Sequence, residues 1–388
     1  MGLQLIIGLI VFRTPLGQGL FEAANVVIAK LNEFAGEGAG LVFGALGDGG
    51  KMQETFGEGV IFAIAIPATI IFVSALSSLL YHWRILPWVV TGIAWVMRRT
   101  MRTSGSETLA TAANVFMGQT EAPLVVKPYI ASMTRSELNA LMTGGFATIA
   151  GSVLAVYLGL LGEEYGPHLL TASVMSAPAA FLMAKVMLPE TEESPTGSMV
   201  ELKIERTASN TIEAAANGTS DGLKLWLNVV AMLIAFMGLV ALVDWCLAVA
   251  ADNRFWALDG GLSLNRIFSW VFSPFAWMMG VEGWHDCQLM GSLLGTKIAV
   301  NEFIAFNGML ELLGGTGDAT FHSPRTAKMA AYALCGFANF ASIGIQIGGI
   351  SPLAPERKPL IAKLALRAML GGAFASWMTA TVAGMFIE

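Results

Sequence analysis

The chain of 388 residues is 55% hydrophobic and 13% charged, with a formal net charge of −6 at pH 7. Soluble globular proteins carry about 25% charged residues, so the polar residues here are too few to cover a water-soluble body. Apolar runs long enough to cross a bilayer recur along the chain, which specifies a polytopic membrane protein. The charge is spread over loops and forms no basic face, so nucleic acid is not an expected partner.

The opening run, "GLQLIIGLIVF", lacks the basic flank and small-residue cleavage site of a signal peptide and is short for a full span. Residues 1–16 read as an apolar segment closed by "RTPLG", followed by a weakly amphipathic stretch over 17–45 and a polar loop, "GDGGKMQETFGEG". Residues 59–82 read as a spanning helix with Pro67 as a candidate kink. The next segment, "ILPWVVTGIAWVMRRTMR", is short, aromatic and ends in arginines, as a helix lying in the bilayer interface does. An apolar stretch over 106–131 is interrupted by "GQTEAP", and spans over 136–161 and 168–188 follow. The linker over 189–221 is polar enough to be extramembranous.

The order then repeats. A span over 222–250 precedes a second aromatic surface helix, "SLNRIFSWVFSPFAWMMG". A polar-interrupted stretch over 285–313 holds "AVNEFIAFNG", and residues 326–350 and 359–387 are the last two spans. Weak internal symmetry of this kind is typical of secondary transporters. If each interrupted stretch is a re-entrant hairpin, Arg98, Arg99, Arg102, Lys127, Arg135, Arg357 and Lys358 share one side, cytoplasmic by the positive-inside rule. Arg254, Arg266, Arg325 and Lys328 then lie outside, and the two halves are inverted in the membrane. The expected fold is all-α and polytopic, with two re-entrant hairpins and two broken transmembrane helices.

Glu121 and Glu302 are the acidic residues deepest in apolar context. A charged side chain at the bilayer centre costs roughly 2.5–3.5 kcal/mol even on the mildest scale, so each is expected to face a cavity or to cap a broken helix end. Pro123 suits the first turn of a new helix, which makes "TEAP" a hairpin tip. The segments "GGFATIAGS" (144–152) and "GFANFASIG" (336–344) mix glycine with poor helix formers and are candidates for local unwinding. Close packing of helices through small residues is the alternative reading. Gln119, Thr120, Glu121, Glu302, Asn339 and Ser342 together offer amide, hydroxyl and carboxylate groups to a polar, uncharged ligand. With no buried Arg or Lys expected beside them, phosphate and carboxylate ligands are disfavoured. Cys246, Cys287 and Cys335 read as small buried hydrophobes. His82, His168, His285 and His322 are scattered without metal-ligand spacing, which disfavours zinc chemistry.

At these residues the sequence resembles the concentrative nucleoside transporters. The matches are "NVFMGQTEAPLVVKPYI" (114–130), "MTGGFATIAGSVLA" (142–155), "VNEFIAF" (300–306) and "CGFANFASIGI" (335–345), with "IEAAANG" and "SPLAPERK" beside them. The resemblance implies a homotrimer whose protomers each combine a scaffold with a mobile transport domain, and a chain that begins within the family's second membrane helix. On that pattern residues 1–105 and 222–284 form the scaffold, 106–188 and 285–388 the two transport repeats, and 189–221 a cytoplasmic linker. Gln119, Thr120 and Glu121 would contact a nucleobase, with Val153 packing beside it. Glu302, Asn339 and Ser342 would bind the ribose, with Phe337 nearby. The family's sodium site maps to the side chains of Asn114 and Thr148 and to the backbone carbonyls of Met117, Thr148 and Ile149. Met117 stands where a smaller aliphatic is commoner, and Thr148 where bacterial relatives usually have serine. The implied activity is Na⁺-coupled uptake of nucleosides such as uridine across a bacterial inner membrane by an elevator movement. Proton coupling, a channel of the same fold, and a membrane hydrolase using Glu121 and Glu302 are the alternatives. The absence of a nucleophile triad or HExxH motif argues against the last.

Overall fold

A computed structural model describes residues 1–47, 51, 62–101, 103–151, 153, 154, 157, 161–194, 196, 208–252, 262–317 and 320–387. Most of the glycine-rich loop after residue 47, most of the linker before residue 208, and Arg102, Ser152 and Arg254 lie outside the described residues. Every regular element among those described is helical.

Helix α1 (Gly2–Arg13) meets α2 (Pro15–Phe43) at Thr14, whose hydroxyl accepts from Gly17 N at 3.2 Å while Pro15 opens the new helix. Helices α3 (Phe62–His82) and α4 (Ile85–Met101) meet at a 75° bend, with Arg84 at φ 64° between them. That angle suits a spanning helix turning into the interface, and α4 leaves Trp88 and Trp95 exposed. Helix α5 (Gly105–Asn114) is buried throughout, and the chain returns through α6 (Ala122–Val125) and α7 (Lys127–Ile130) as a hairpin. Helices α8 (Arg135–Ala147) and α9 (Gly166–Met187) follow. The second half comprises α10 (Thr211–Asp252), α11 (Leu264–Met278), the hairpin of α12 (Trp284–Ala299) and α13 (Glu302–Gly314), then α14 (Pro324–Leu334), α15 (Phe340–Ile350) and α16 (Lys358–Gly384). The segments Gly166–Met187, Thr211–Val249 and Pro355–Gly384 are each long and apolar enough to cross a membrane.

Two groups of helices emerge from the packing. In the first, α3 lies along α10 and α2. Gly218 and Gly222 permit the α3–α10 approach, since a Cβ at either would meet α3 atoms at 2.6 and 2.7 Å. In the second, α8, α9, α14 and α16 enclose a core that includes Phe146, Phe181 and Tyr332. The hairpin and the broken span that follows it start on matching capping boxes, Ser104 with Glu107 and Thr134 with Glu137. Lys185 joins them, 2.7 Å from Glu107 and bonded to Ser136 at 3.0 Å.

Three features depart from the sequence expectations. Helix α10 starts at Thr211, inside the stretch read as linker, because Ser209 and Asn210 exchange hydrogen bonds with Glu213 and cap it. Helix α1, read within residues 1–105 as one part, packs on α9 and α16 of the second group as well as on α2. Buried Gln4 donates to Met175 O at 3.1 Å and to Thr379 Oγ1 at 3.2 Å. Cys287 and Cys335 are buried as expected, but Cys246 is exposed on α10.

Candidate functional site

Four interruptions of helical structure converge between the two groups. The first is the tip between α5 and α6, where Glu121 Oε2 accepts from Gly118 N at 3.1 Å and closes the turn before Pro123 starts α6. The second follows α8, where Thr148 is extended and residues 149 and 150 are non-helical before helix resumes at Gly151. The third is the turn between α12 and α13, where Asn301 caps α13 by accepting from Ile304 N at 2.8 Å. The fourth separates α14 from α15, where Asn339 caps α15 by accepting from Ser342 N at 2.8 Å. Both candidate segments for unwinding are therefore broken. Asparagine at the third and fourth of these points, Asn301 and Asn339, explains why the chain re-enters helix there.

The breaks are tied to one another. Gly151 N donates to Phe116 O at 3.0 Å, joining the first tip to the break after α8. Gln119 Nε2 donates to Ser342 Oγ at 3.2 Å, joining that tip to the start of α15. Asn339 uses both ends of its amide: the oxygen caps α15 and the nitrogen donates to Glu302 Oε2 at 2.8 Å. Tyr157 OH donates to the other carboxylate oxygen, Oε1, at 3.0 Å.

Between these groups lies a cavity of about 380 Å³. All eight residues selected from the sequence as ligand contacts line it: Gln119, Thr120, Glu121, Val153, Glu302, Phe337, Asn339 and Ser342. Gln119 Oε1 is buried and has no hydrogen-bond partner among the described residues. Sequence reasoning missed Tyr157, although it lies one helical turn beyond Val153. It also missed the wall supplied by the first group, Ile70 on α3 and Asn228 on α10. Asn228 interrupts the apolar run "LWLNVVAML", a signal of the kind already used at the tips. The sequence reading also overlooked Lys297 as a buried cation. It is fully buried, but its ammonium donates to Ala333 O and to Ser376 Oγ, both at 2.8 Å, at the end of α14 and outside the cavity lining. Among the described residues the cavity lining has no cationic side chain, so the argument against anionic ligands holds there.

The residues picked for a cation lie beside this cavity. Asn114 is the last residue of α5, Met117 follows in the non-helical turn, and Thr148 and Ile149 form the break after α8. Asn114 is 1% exposed, yet neither its Oδ1 nor its Nδ2 has a hydrogen-bond partner among the described residues. Thr111 Oγ1 is buried and unpartnered in the same way. Gly144 allows the approach, because a Cβ there would stand 3.2 Å from both Asn114 Nδ2 and Thr111 Oγ1. A buried acceptor without a donor is costly. An unsatisfied amide oxygen among hydroxyls and a broken helix is a fitting donor set for a hard alkali cation. His285 and His322, scattered in sequence, stand together at the start of α12, with ring centroids 4.2 Å apart.

The chain matches three family models: the Na⁺-dependent nucleoside transporter C-terminus over residues 168–384, nucleoside recognition over 63–164, and the Na⁺-dependent nucleoside transporter N-terminus over 1–46. It is 40% identical to an uncharacterized transporter of Haemophilus influenzae, over 97% of this chain and 88% of that protein. It is also 40% identical to sodium/nucleoside cotransporter 1 of Rattus norvegicus over 99% of this chain, which spans 58% of that longer protein. The solved structure of CNTnw in an inward-facing substrate-bound state superposes with a TM-score of 0.90 at 36% identity, covering 100% of this chain and 91% of that one.

Proposed function

Because the chain belongs to the Na⁺-dependent nucleoside transporter family, we propose that it takes up nucleosides across a bacterial inner membrane by symport with Na⁺. The family consists of transporters and not enzymes, so Glu121 and Glu302 are assigned to binding. The observation that carries the reading is the cavity lined by Gln119, Glu121, Glu302 and Asn339 at the meeting of four broken elements. The free Gln119 Oε1 and the Glu121 carboxylate offer acceptors to the polar edge of a base. Glu302 accepts from the ribose hydroxyls, and Val153 and Phe337 pack against the rings. Tyr157 fixes the carboxylate from behind. Tyr157→Phe removes one neutral donor, worth about 1 kcal/mol, and is expected to raise the uridine KM about fivefold.

Asn114, Thr148 and the backbone at Met117 and Ile149 would hold Na⁺, which supplies positive charge next to the Gln119–Glu121 tip. Asn114→Ala removes the unpartnered amide and is expected to abolish the Na⁺ dependence of uptake while the protein stays folded. The measurement is uridine uptake into proteoliposomes against Na⁺ concentration at two pH values. An unchanged Na⁺ response in the variant would remove Asn114 from the coupling site. A response to pH alone in the wild type would make the driving ion a proton.

The placement of the cavity supports an elevator movement. One wall belongs to α3 and α10, and the others to hairpins and broken helices of the second group. Sliding the second group past the first would expose the ligand to alternate sides. Homotrimerisation is consistent with the exposed apolar residues of α2 and α10, such as Leu41, Ile234 and Trp245, which need lipid or a neighbouring copy. Radiolabelled uridine uptake into vesicles tests the proposal as a whole. No accumulation above empty vesicles under inward Na⁺ and H⁺ gradients would sink it.

A further inference from the structure

His285 and Asp286, in the first turn of α12, face His322 in the loop before α14. One ligand atom from each of the three side chains lies within 4.8 Å of the others. The two imidazole rings are stacked, with planes 16° from parallel. Asp286 is buried, and its Oδ1 accepts from His322 N at 2.9 Å and its Oδ2 from Ser323 N at 3.1 Å. These bonds fix the orientation of the carboxylate and leave each oxygen further lone-pair capacity.

The histidine tautomer follows from chemistry. Thr320 O can only accept, so its 3.2 Å contact with His285 Nε2 makes that nitrogen the N–H and leaves Nδ1 with the lone pair. An imidazole whose second nitrogen donates to a backbone carbonyl is the arrangement that metal-ligating histidines adopt. A loop-capping role accounts for Asp286 alone. It does not account for two imidazoles stacked beside the same carboxylate, one with its tautomer set by a carbonyl.

We propose that His285, Asp286 and His322 bind a divalent transition-metal ion of the Zn²⁺ class. Two imidazoles and one carboxylate form a zinc-type donor set with a fourth position open to water. A Ca²⁺ or Mg²⁺ ion prefers an all-oxygen shell. The ion would clamp the first turn of the second hairpin to the loop that starts the second broken helix. His322 is exposed, so the ion reaches the site directly from water, on the side that the arginine and lysine distribution places outside. The site is separate from the nucleoside cavity, whose lining includes none of these three residues.

The test is calorimetric titration of tag-free purified protein with ZnCl₂, with MgCl₂ as control. The expected result is one saturable Zn²⁺ site per chain, no Mg²⁺ binding, and a Zn²⁺-dependent rise in melting temperature. His322→Ala and His285→Ala should each weaken Zn²⁺ binding about tenfold or more and leave uridine binding intact. Because His322 is exposed, its alanine variant tests the site even where a change at His285 disturbs folding. Absence of saturable Zn²⁺ binding to the wild type would overturn the proposal. Wild-type Zn²⁺ affinity in a folded His322→Ala variant would do so equally.

Discussion

Glu302→Gln is expected to lower uridine affinity by one to two orders of magnitude while leaving the fold in place. The carboxylate is 7% exposed, holds Tyr157 OH on one oxygen and Asn339 Nδ2 on the other, and borders the cavity. Glutamine fits this setting without a clash. Asn339 cannot rotate, because its Oδ1 is committed to Ser342 N as the cap of α15. The new amide therefore turns its oxygen to Asn339 and its nitrogen to Tyr157, whose hydroxyl can rotate to accept. What disappears is the charged acceptor facing the ligand. Hydrogen bonds to a charged group are worth about 1.5–3 kcal/mol, and each 1.4 kcal/mol is tenfold in affinity, which gives the range stated. Equilibrium binding of uridine and the melting temperature of the same preparation check both halves of the expectation. Unchanged affinity in a stable variant would show that Glu302 does not bind the ribose.

The hairpin tips and helix breaks were legible in the sequence because each places residues that resist helix where an apolar run should continue. Pro123 after Glu121, Asn301 before Glu302, and Gly336 with Asn339 are local signals whose meaning does not depend on the rest of the fold. They mark the two broken spans and the tips that hold Gln119, Thr120, Glu121, Glu302, Asn339 and Ser342, whereas Val153 and Phe337 entered through the family resemblance alone. What stayed hidden needed distance information. Ile70 and Asn228 reach the cavity only because α3 and α10 pack as a pair. Lys297 looks like a segment-end lysine, yet it satisfies a carbonyl that the break after α14 leaves open. His285 and His322 belong to different elements, and only the fold stacks them. The start of α10 was misplaced for another reason. Average polarity marked 211–221 as linker, whereas Asn210 and Glu213 form a helix start that charge content does not reveal.

Gly336→Ala is expected to be the most disruptive single substitution at the crossing of the two broken helices. Gly336 has φ 142°, in the region that residues with a Cβ rarely adopt. A Cβ there would stand 2.9 Å from Phe146 O and 3.0 Å from Ala147 O. Both are backbone atoms at the end of α8, so no side-chain rotation relieves the contact. Backbone strain of this kind costs about 1–3 kcal/mol, and overpacking a filled core adds about 1–3 kcal/mol. The methyl group acts where the break that starts at Thr148 meets the break before Asn339, so separation there displaces both the residues proposed for the cation and those proposed for the ribose. Uptake should therefore fall to background even where protein still reaches the membrane. Gly344 and Gly348 supply the control. Both lie in α15, nothing stands within 4 Å of a Cβ at either, and alanine favours helix there by about 1 kcal/mol. Gly344→Ala and Gly348→Ala should match or exceed wild-type melting temperature, while Gly336→Ala falls well below it. If all three behave alike, the contact between the breaks does not hold the site together, and the cavity's geometry must be maintained by α16 and the capping residues alone.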